Sequence, residues 1–392
     1  MSESKNTAYI VIIGGGVIGL AVARAVAQRG VRDVLIIERS SLGAEASSAA
    51  AGMLAPQAEA DCADDFFRLC CQSRDMYPAF AESLNEETGI NIELDTTGTL
   101  YLAFTEEDET ETEKRYDWQT RAGLAVEKLS PDLAKLLEPS ISECARAALR
   151  FPLDSQVENR RLISALATAN EALGVRVITG VSVDSLDIKQ NRVAGVQTSQ
   201  GFIACEQIVI ASGAWTTQLL NEAAGSPRGQ RASGAGLPNP CIEPVRGQMV
   251  SFEAMPQIAR HVIYSPRGYL VPRRDGRLLA GSTTELAGFD KRVTAAGVQS
   301  IVTSALEISP RIATLTLTSS WAGLRPRAAD GLPVLGPCAE IDGVFYATGH
   351  YRNGILLTPV TAELLANAIV DEKIPPPLQI FSPDRFQLVA AH

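Results

Sequence analysis

The stretch YIVIIGGGVIGLAVARAVAQRGVRDVLIIE, residues 9–38, decides the fold. Residues 9–13 form a short apolar run rich in β-branched side chains, which predicts a strand buried on both faces. The alanine-rich run 17–29 predicts a helix, and Gly30 is suited to end it. Residues 34–37 predict a second strand of the same type. Strand, glycine turn, helix and strand in this order predict a βαβ unit, and hence an α/β fold with a parallel sheet.

The turn between this strand and helix carries the pattern G-x-G-x-x-G at Gly14, Gly16 and Gly19. The first glycine permits the tight turn, the second lets a pyrophosphate approach the backbone, and the third lets helix and strand pack closely. The helix start offers free N–H groups and a favourable dipole to an anion. Glu38 ends the second strand, where a carboxylate can accept both hydroxyls of an adenosine ribose. The pattern predicts a site for FAD or NAD rather than NADP, and the alternative is a glycine-rich turn in another βαβ unit.

Composition disfavours several classes of protein. The 392 residues, 46% hydrophobic and 20% charged, are typical of a globular enzyme of about two domains. A formal net charge of −10 argues against a nucleic-acid-binding surface. Seven cysteines without a C-x-x-C motif and only three histidines disfavour disulfides and a metal site, and favour a cytoplasmic location. No run of about 18 uncharged apolar residues is present, so no membrane span is expected.

The segment that follows Glu38 has the composition of a cofactor-binding loop. Residues 39–57 are small, polar and glycine-bearing. Ser47 and backbone N–H groups can reach a phosphate there, while Ala51 and Gly52 leave room for a flat ring. An ordinary surface loop is the alternative.

Strand and glycine-turn units recur far along the chain. Residues 207–211 and 344–347 are buried-strand patterns that run into glycine turns, and a helix is predicted from Asn353 and Gly354 to about residue 370. Since these units must join the first sheet, we expect a cofactor domain that is discontinuous in sequence. Strand patterns dominate between residues 241 and 320, which predicts a second, β-rich domain. Local patterns also predict a hairpin or paired strands over 91–104, a strand over 315–322 and a mobile surface loop or insertion over 226–240.

Several of these motifs together resemble one family. They are IIGGGVIGL (12–20), SSAAAGML (47–54), YLVPR (269–273), WAGLRPRAADGLPVLG (321–336) and GHYRNGILLTP (349–359). In this combination the chain resembles the D-amino-acid-oxidase-like FAD-dependent oxidoreductases, most closely their glycine oxidases of thiamine thiazole biosynthesis. The resemblance implies a Rossmann-like FAD-binding domain over 1–88, 145–222 and 323–392, and a β-rich α+β substrate domain over 89–144 and 223–322.

The resemblance also implies how FAD is held. Binding is expected to be non-covalent, with the helix that follows Gly354 directed at the flavin ring. The implied cofactor-binding residues are Gly14, Gly16, Val17, Ile18, Gly19, Glu38, Arg39, Ala46, Ser47, Ala51, Gly52, Met53, Val183, His350, Tyr351, Arg352, Asn353, Gly354, Ile355 and Leu356.

Four residues are implied on the substrate side. Arg325 matches the arginine that binds the substrate carboxylate in the family, and its alternative is a surface salt bridge. Tyr269 matches a pocket tyrosine, or else is a core aromatic of a strand. Arg352 belongs to the pocket or to the flavin-side turn, and Thr284 falls where pocket side chains vary. No residue is assigned as a catalytic acid or base.

The implied reaction is oxidative deamination of glycine, sarcosine and small D-amino acids. It uses oxygen and yields a 2-oxo acid, ammonia or an amine, and hydrogen peroxide. The alternatives are a D-amino-acid dehydrogenase that reduces a quinone and a tRNA-modifying flavoprotein module. The expected partners are a small amino acid and oxygen, without nucleic acid, in a homo-oligomer of two or four chains.

Overall fold

Two eight-stranded sheets organise the chain. The structure is a computed structural model and describes residues 6–223 and 237–386. Within these ranges the strands are β1 (Thr7–Ile13), β2 (Val34–Glu38), β3 (Met53–Leu54), β4 (Thr99–Ala103), β5 (Glu127–Leu129), β6 (Ala147–Phe151), β7 (Ser155–Gln156), β8 (Arg176–Thr179), β9 (Val183–Lys189), β10 (Arg192–Thr198), β11 (Gly201–Ile210), β12 (Glu243–Glu253), β13 (Val262–Ser265), β14 (Gly268–Pro272), β15 (Arg277–Gly281), β16 (Thr316–Arg327), β17 (Val334–Pro337) and β18 (Val344–Thr348).

Helices connect and cover these strands. They are α1 (Val17–Gln28), α2 (Ala46–Ala49), α3 (Pro56–Glu59), α4 (Asp65–Thr88), α5 (Glu106–Arg121), α6 (Pro131–Leu137), α7 (Asn159–Ala172), α8 (Thr216–Ala223), α9 (Ala295–Ile308), α10 (Thr358–Val370) and α11 (Pro376–Ile380). Short 3₁₀ helices lie at Gly213–Trp215, Pro310–Thr314 and Pro383–Phe386. None of the helices in the described ranges is long and apolar enough to cross a membrane.

The first sheet has the order β17-β18-β11-β1-β2-β8. Strands β18, β11, β1, β2 and β8 run parallel, while β17 is antiparallel to β18, and β10 and β9 extend from β11 as an antiparallel pair. Alternation along β1 explains its burial, because Ile10 and Ile12 pack in the cluster beneath α1 while Val11 and Ile13 pack on the opposite face. The predicted α/β fold with a parallel sheet is confirmed.

The second sheet has the order β16-β12-β15-β14-β13-β4-β6-β5. Its pairs are antiparallel except β13 with β4. Helix α9 packs on one face, where Ile301 and Ala305 meet the apolar side chains of β12 and β15. Strand β16 pairs with β12 along its whole length, and its carboxyl end approaches the first sheet, where Arg327 forms an isolated bridge with His350 just after β18.

Some predictions of local structure are wrong. Of the two alternatives for 91–104, only the hairpin is wrong: this stretch holds strand β4, which pairs with the distant β6 and β13. Helix α10 begins at Thr358 rather than near residue 353, because residues 351–357 form turns, among them the bond from the Leu357 N–H to the Asn353 carbonyl. The strand predicted over 315–322 continues to Arg327. The predicted loop over 226–240 lies outside the described residues except for 237–240.

The sheets differ from the predicted domain ranges at two points. Strand β6 and the last residues of β16 belong to the second sheet, although both fall within ranges assigned to the FAD-binding domain. Their partners are β4 and β12, which are far away in sequence, so a local pattern cannot reveal the boundary. The division into two discontinuous domains remains a proposal.

Candidate functional site

A cavity of about 460 Å³ lies between the two sheets. On one side it meets the carboxyl ends of the parallel strands β1, β2, β11 and β18, and on the other it meets β12, β14 and β16. In open α/β sheets, ligands bind in this crevice beyond the carboxyl ends of the strands.

The turn from β1 to α1 closes one end of the cavity. Gly14 has φ 115°, and a Cβ there would lie 2.4 Å from the Ala211 carbonyl oxygen. A Cβ on Gly19 would lie 2.0 Å from the Gly14 oxygen, so this glycine permits close packing behind the wall rather than lining it. The N–H groups of Gly16 and Ile18 have no acceptor in the described chain, and both residues line the cavity. These open donors at a helix start fit a phosphate.

The carboxyl end of β2 forms the next section of the wall. Glu38 is 9% exposed and lines the cavity, and its carboxylate accepts the N–H groups of Gly15 (2.8 Å) and Ser40 (2.9 Å). The Arg39 guanidinium carbon lies 3.5 Å from the centre of the Trp215 ring, which is a close cation–π contact. Val183 also lines this section. Glu38 is thus placed where a ribose can reach it.

Residues 46–53 cross the cavity between the two sheets, and Ala46, Ser47, Ala51, Gly52 and Met53 all line it. Side chains of residues that are distant in sequence hold this segment in place through hydrogen bonds. Asn159 donates to the Ser47 carbonyl (2.7 Å), Arg273 donates to the Ala51 carbonyl (2.6 Å), and the Trp321 ring N–H donates to the Ala49 carbonyl (3.0 Å). The Ser47 hydroxyl accepts the Val17 N–H at 3.1 Å, which ties the segment to the start of α1. The open N–H groups of Gly16 and Ile18, together with the glycines of the turn from β1 to α1, fit FAD.

The turn before α10 forms a further section of the wall, where residues 350–355 line the cavity. Tyr351 adopts the left-handed backbone region (φ 48°), which is costly for a residue other than glycine. His350 is 3% exposed and contacts the Thr361 hydroxyl through Nε2 (3.0 Å), and burial lowers its pKa to about 3. Leu356 is fully buried behind the turn and does not line the cavity.

Arg325 projects from β16 into the cavity. Its guanidinium donates to the Thr283 carbonyl (3.1 Å) and to the Ser282 hydroxyl (2.7 Å). Among the described residues, no carboxylate forms an ion pair with Arg325. Gly247 makes room for it, because a Cβ there would lie 2.1 Å from Arg325 Nη2. A guanidinium with neutral partners keeps its positive charge available to an anionic ligand.

Arg352 differs from Arg325 because its charge is already balanced. Its Nη2 lies 2.9 Å from Glu59 Oε1 and 3.4 Å from the Tyr264 hydroxyl, and Glu59 raises the pKa of Arg352. Tyr269 is 8% exposed, and its hydroxyl has the weak acceptor Met249 Sδ at 3.2 Å. This hydroxyl can therefore turn to a better acceptor.

A second, outer cavity of about 740 Å³ adjoins the first. The two cavities share Glu59, Tyr269, Ser282 and Arg352 in their walls, whereas Thr284 lines only the outer one. Three of the predicted site residues, Gly19, Leu356 and Thr284, thus lie off the wall of the inner cavity, and the others line it.

The sequence interpretation did not identify several residues that support this cavity. Glu59 stands in an acidic run, which gives no local sign of its pairing with Arg352. Asn159 and Arg273 act on residues more than a hundred positions away. Trp215 followed a predicted strand and glycine turn, and that signal could have placed it at the site.

Comparison with known proteins gives a consistent result. The family model described as FAD dependent oxidoreductase matches residues 10–368. A glycine oxidase of Geobacillus kaustophilus is 38% identical over 92% of this chain and 92% of its own length. A crystal structure of glycine oxidase from the same organism superposes with a TM-score of 0.88 at 36% identity, and covers 97% of this chain and 99% of its own.

A further relative is longer than this chain. A bifunctional protein ThiO/ThiG of Trichormus variabilis is 35% identical over 98% of this chain, which spans only 56% of that protein. The family match extends over most of the described residues and includes both sheets that form the cavity. The chain belongs to the FAD-dependent oxidoreductase family.

Proposed function

We propose that the chain oxidises glycine and similar small amino acids, such as sarcosine and small D-amino acids, with FAD as cofactor and oxygen as acceptor. The products are a 2-oxo acid, ammonia or an amine, and hydrogen peroxide. The observation that carries the proposal is the Arg325 guanidinium, which lines the cofactor cavity and has only neutral partners in the described chain. The glycine oxidases to which the chain is similar support the same substrate.

Substrate binding follows from the side chains at this end of the cavity. Arg325 holds the carboxylate through two parallel donors, which also fixes the position of Cα. The Tyr269 hydroxyl exchanges its weak sulfur acceptor for the same carboxylate. The Glu59–Arg352 pair is neutral as a whole, so Arg325 is the side chain that selects an anionic group.

FAD, held by the turn from β1 to α1, by residues 46–53 and by the turn before α10, would supply a two-electron acceptor for the hydrogen on Cα and would pass the electrons to oxygen. The amino acid becomes an imine, which water hydrolyses to the 2-oxo acid and ammonia or an amine. The protein's part is to orient the substrate and to exclude water from the reacting carbon.

Other parts of the proposal come from the sequence resemblance. They are the place in thiamine thiazole biosynthesis, the cytoplasmic location and a homo-oligomer of two or four chains. Each of these stays a prediction.

Peroxide formation and oxygen uptake with glycine, sarcosine, D-alanine and D-proline test the proposal. We expect turnover with at least glycine and sarcosine. Methylamine is the matched control substrate, because it lacks the carboxylate and should not be oxidised. Electron transfer only to a quinone analogue would favour the D-amino-acid dehydrogenase alternative, and absence of turnover with all four amino acids would refute the proposal.

A further inference from the structure

Two side chains of α4 form hydrogen bonds with the backbone of the turn before α10. Ser73 and Tyr77 are both fully buried, and neither lines the cavity. The Tyr77 hydroxyl donates to the carbonyl of Ile355. The Ser73 hydroxyl donates to the carbonyl of Leu356 at 2.6 Å. Two successive carbonyl groups of the turn are therefore directed at α4.

The direction of these carbonyls determines the direction of the N–H groups. In a trans peptide the C=O and N–H groups point to opposite sides, so the peptide held by Tyr77 directs the Leu356 N–H away from α4. The N–H groups of Gly354, Ile355 and Leu356 have no acceptor in the described residues. Three consecutive open donors thus lie in the turn just before α10, where Gly354 and Ile355 line the cavity.

Ser73 also replaces a capping residue that α10 lacks. Leu357 occupies the N-cap position and has no side-chain acceptor, and Pro359 has no N–H group. The Ser73 hydroxyl accepts the next N–H, that of Val360, at 3.3 Å. A cap normally comes from the helix's own N-cap residue, whereas here a neighbouring helix provides it.

We propose that Ser73 and Tyr77 are positioning residues for FAD, which act through the 354–356 turn by keeping its N–H groups directed at the bound ring. N–H groups and a helix N-terminus that face the ring favour the reduced ring, because reduction adds negative charge to it. The inference depends on FAD as the cofactor, and it does not depend on which amine is oxidised.

Tyr77→Phe tests the inference, since it removes one hydroxyl and keeps the ring that packs edge-on against Phe80. The readouts are the midpoint potential of bound FAD and the dissociation constant of sulfite, an anionic probe that adds to the oxidised flavin ring. Loss of one hydrogen bond that orders the turn is expected to weaken sulfite binding by about fivefold. The potential should become more negative. No amine is present, so failure of this test is separate from failure of the proposed substrate.

Tyr346→Phe is the matched control. Tyr346 is likewise fully buried and its hydroxyl donates to a backbone carbonyl, that of Pro238 at 2.8 Å, but Pro238, unlike Ile355, does not line the cavity. Both variants should lose similar thermal stability, and only Tyr77→Phe should change the potential and sulfite binding. Ser73→Ala provides a second variant with the same expected direction, and it decides the question if Tyr77→Phe fails to fold. A potential and a sulfite constant that stay at the wild-type values in folded Tyr77→Phe or Ser73→Ala protein would overturn the inference.

Discussion

At the scale of single residues, the balance of charge separates two arginines in one cavity. Arg352 is paired with Glu59, whereas Arg325 donates only to a carbonyl and a hydroxyl. The sequence resemblance implied that Arg325 binds the substrate carboxylate, but it left Arg352 open between the pocket and the flavin-side turn. Their difference depends on partners at positions 59, 282 and 283, and such pairings are properties of the folded chain.

Arg325→Ala should weaken amino-acid binding without loss of FAD. Removal of one partner of a buried charge pair costs about 3–5 kcal/mol, which corresponds to a factor of a hundred or more in KM for glycine. Arg327→Ala is the matched control, because Arg327 lies two residues further along β16, pairs with Glu243 and is absent from the cavity wall. Steady-state kinetics and the flavin absorbance of both variants measure the effect. Equal KM values for Arg325→Ala and the wild type would remove Arg325 from the substrate site.

At the scale of elements, local patterns predicted a strand or helix well where its structure follows from its own sequence. Strands β2 and β18 were predicted over residues 34–37 and 344–347, each one residue short of its observed end. The start of α10 was not, because its first turn is capped by Ser73 from α4. Likewise, the sequence of β4 alternates as a hairpin would, but its partners come from other parts of the chain.

The buried His350 makes the turn before α10 sensitive to acid. Its pKa is lowered from 6.5 to about 3 in the folded chain, so below pH 6.5 the unfolded chain binds a proton that the folded chain does not. The stabilising contribution is fully present above pH 6.5 and is lost progressively as the pH falls towards 3. Between pH 7 and pH 5 this one group should lower the free energy of unfolding by about 2 kcal/mol.

Denaturant unfolding of the wild type and of His350→Gln at both pH values measures this contribution. The variant lacks the titrating ring, so its free energy of unfolding should fall by about 2 kcal/mol less over the same interval. Other titrating groups are common to both proteins and cancel in the difference. Parallel pH dependence in the two proteins would show that His350 is not held neutral.

At the scale of the whole molecule, the cavity exists because the two sheets meet, and this meeting was only partly predictable. The sequence predicted a discontinuous cofactor domain from strand and glycine-turn units that are far apart. It could not show that β16, a strand of the second sheet, extends towards the first sheet. This strand carries both Arg325 and Trp321, and Trp321 holds the 46–53 segment. The position of β16 depends on its pairing with β12, which is distant in sequence, and such a pairing cannot be detected from the hydrophobic periodicity of either strand.

A second contact between the two sides lies at the Arg39 end of the cavity. The segment that follows β15 brings Phe289 to 5.4 Å from Trp215, measured between ring centres, and places Lys291 Nζ 2.8 Å from Glu45. Exposed ion pairs contribute little, about 0–1 kcal/mol, whereas an aromatic pair adds about 0.5–1.5 kcal/mol beyond the area that it buries. Phe289 is therefore the residue that we expect to hold Trp215, and with it Arg39, against bound FAD.

Phe289→Ala should speed the release of FAD about threefold to tenfold, because Trp215 loses the ring that supports it. The rate is measured from the rise in flavin fluorescence after dilution of the loaded protein. Leu286→Ala is the matched control: Leu286 lies on the same segment and is 67% exposed, against 48% for Phe289. Its release rate should equal that of the wild type. If both variants release FAD at the wild-type rate, the segment does not retain the cofactor, and if both release it faster, the effect belongs to the segment as a whole rather than to the ring contact.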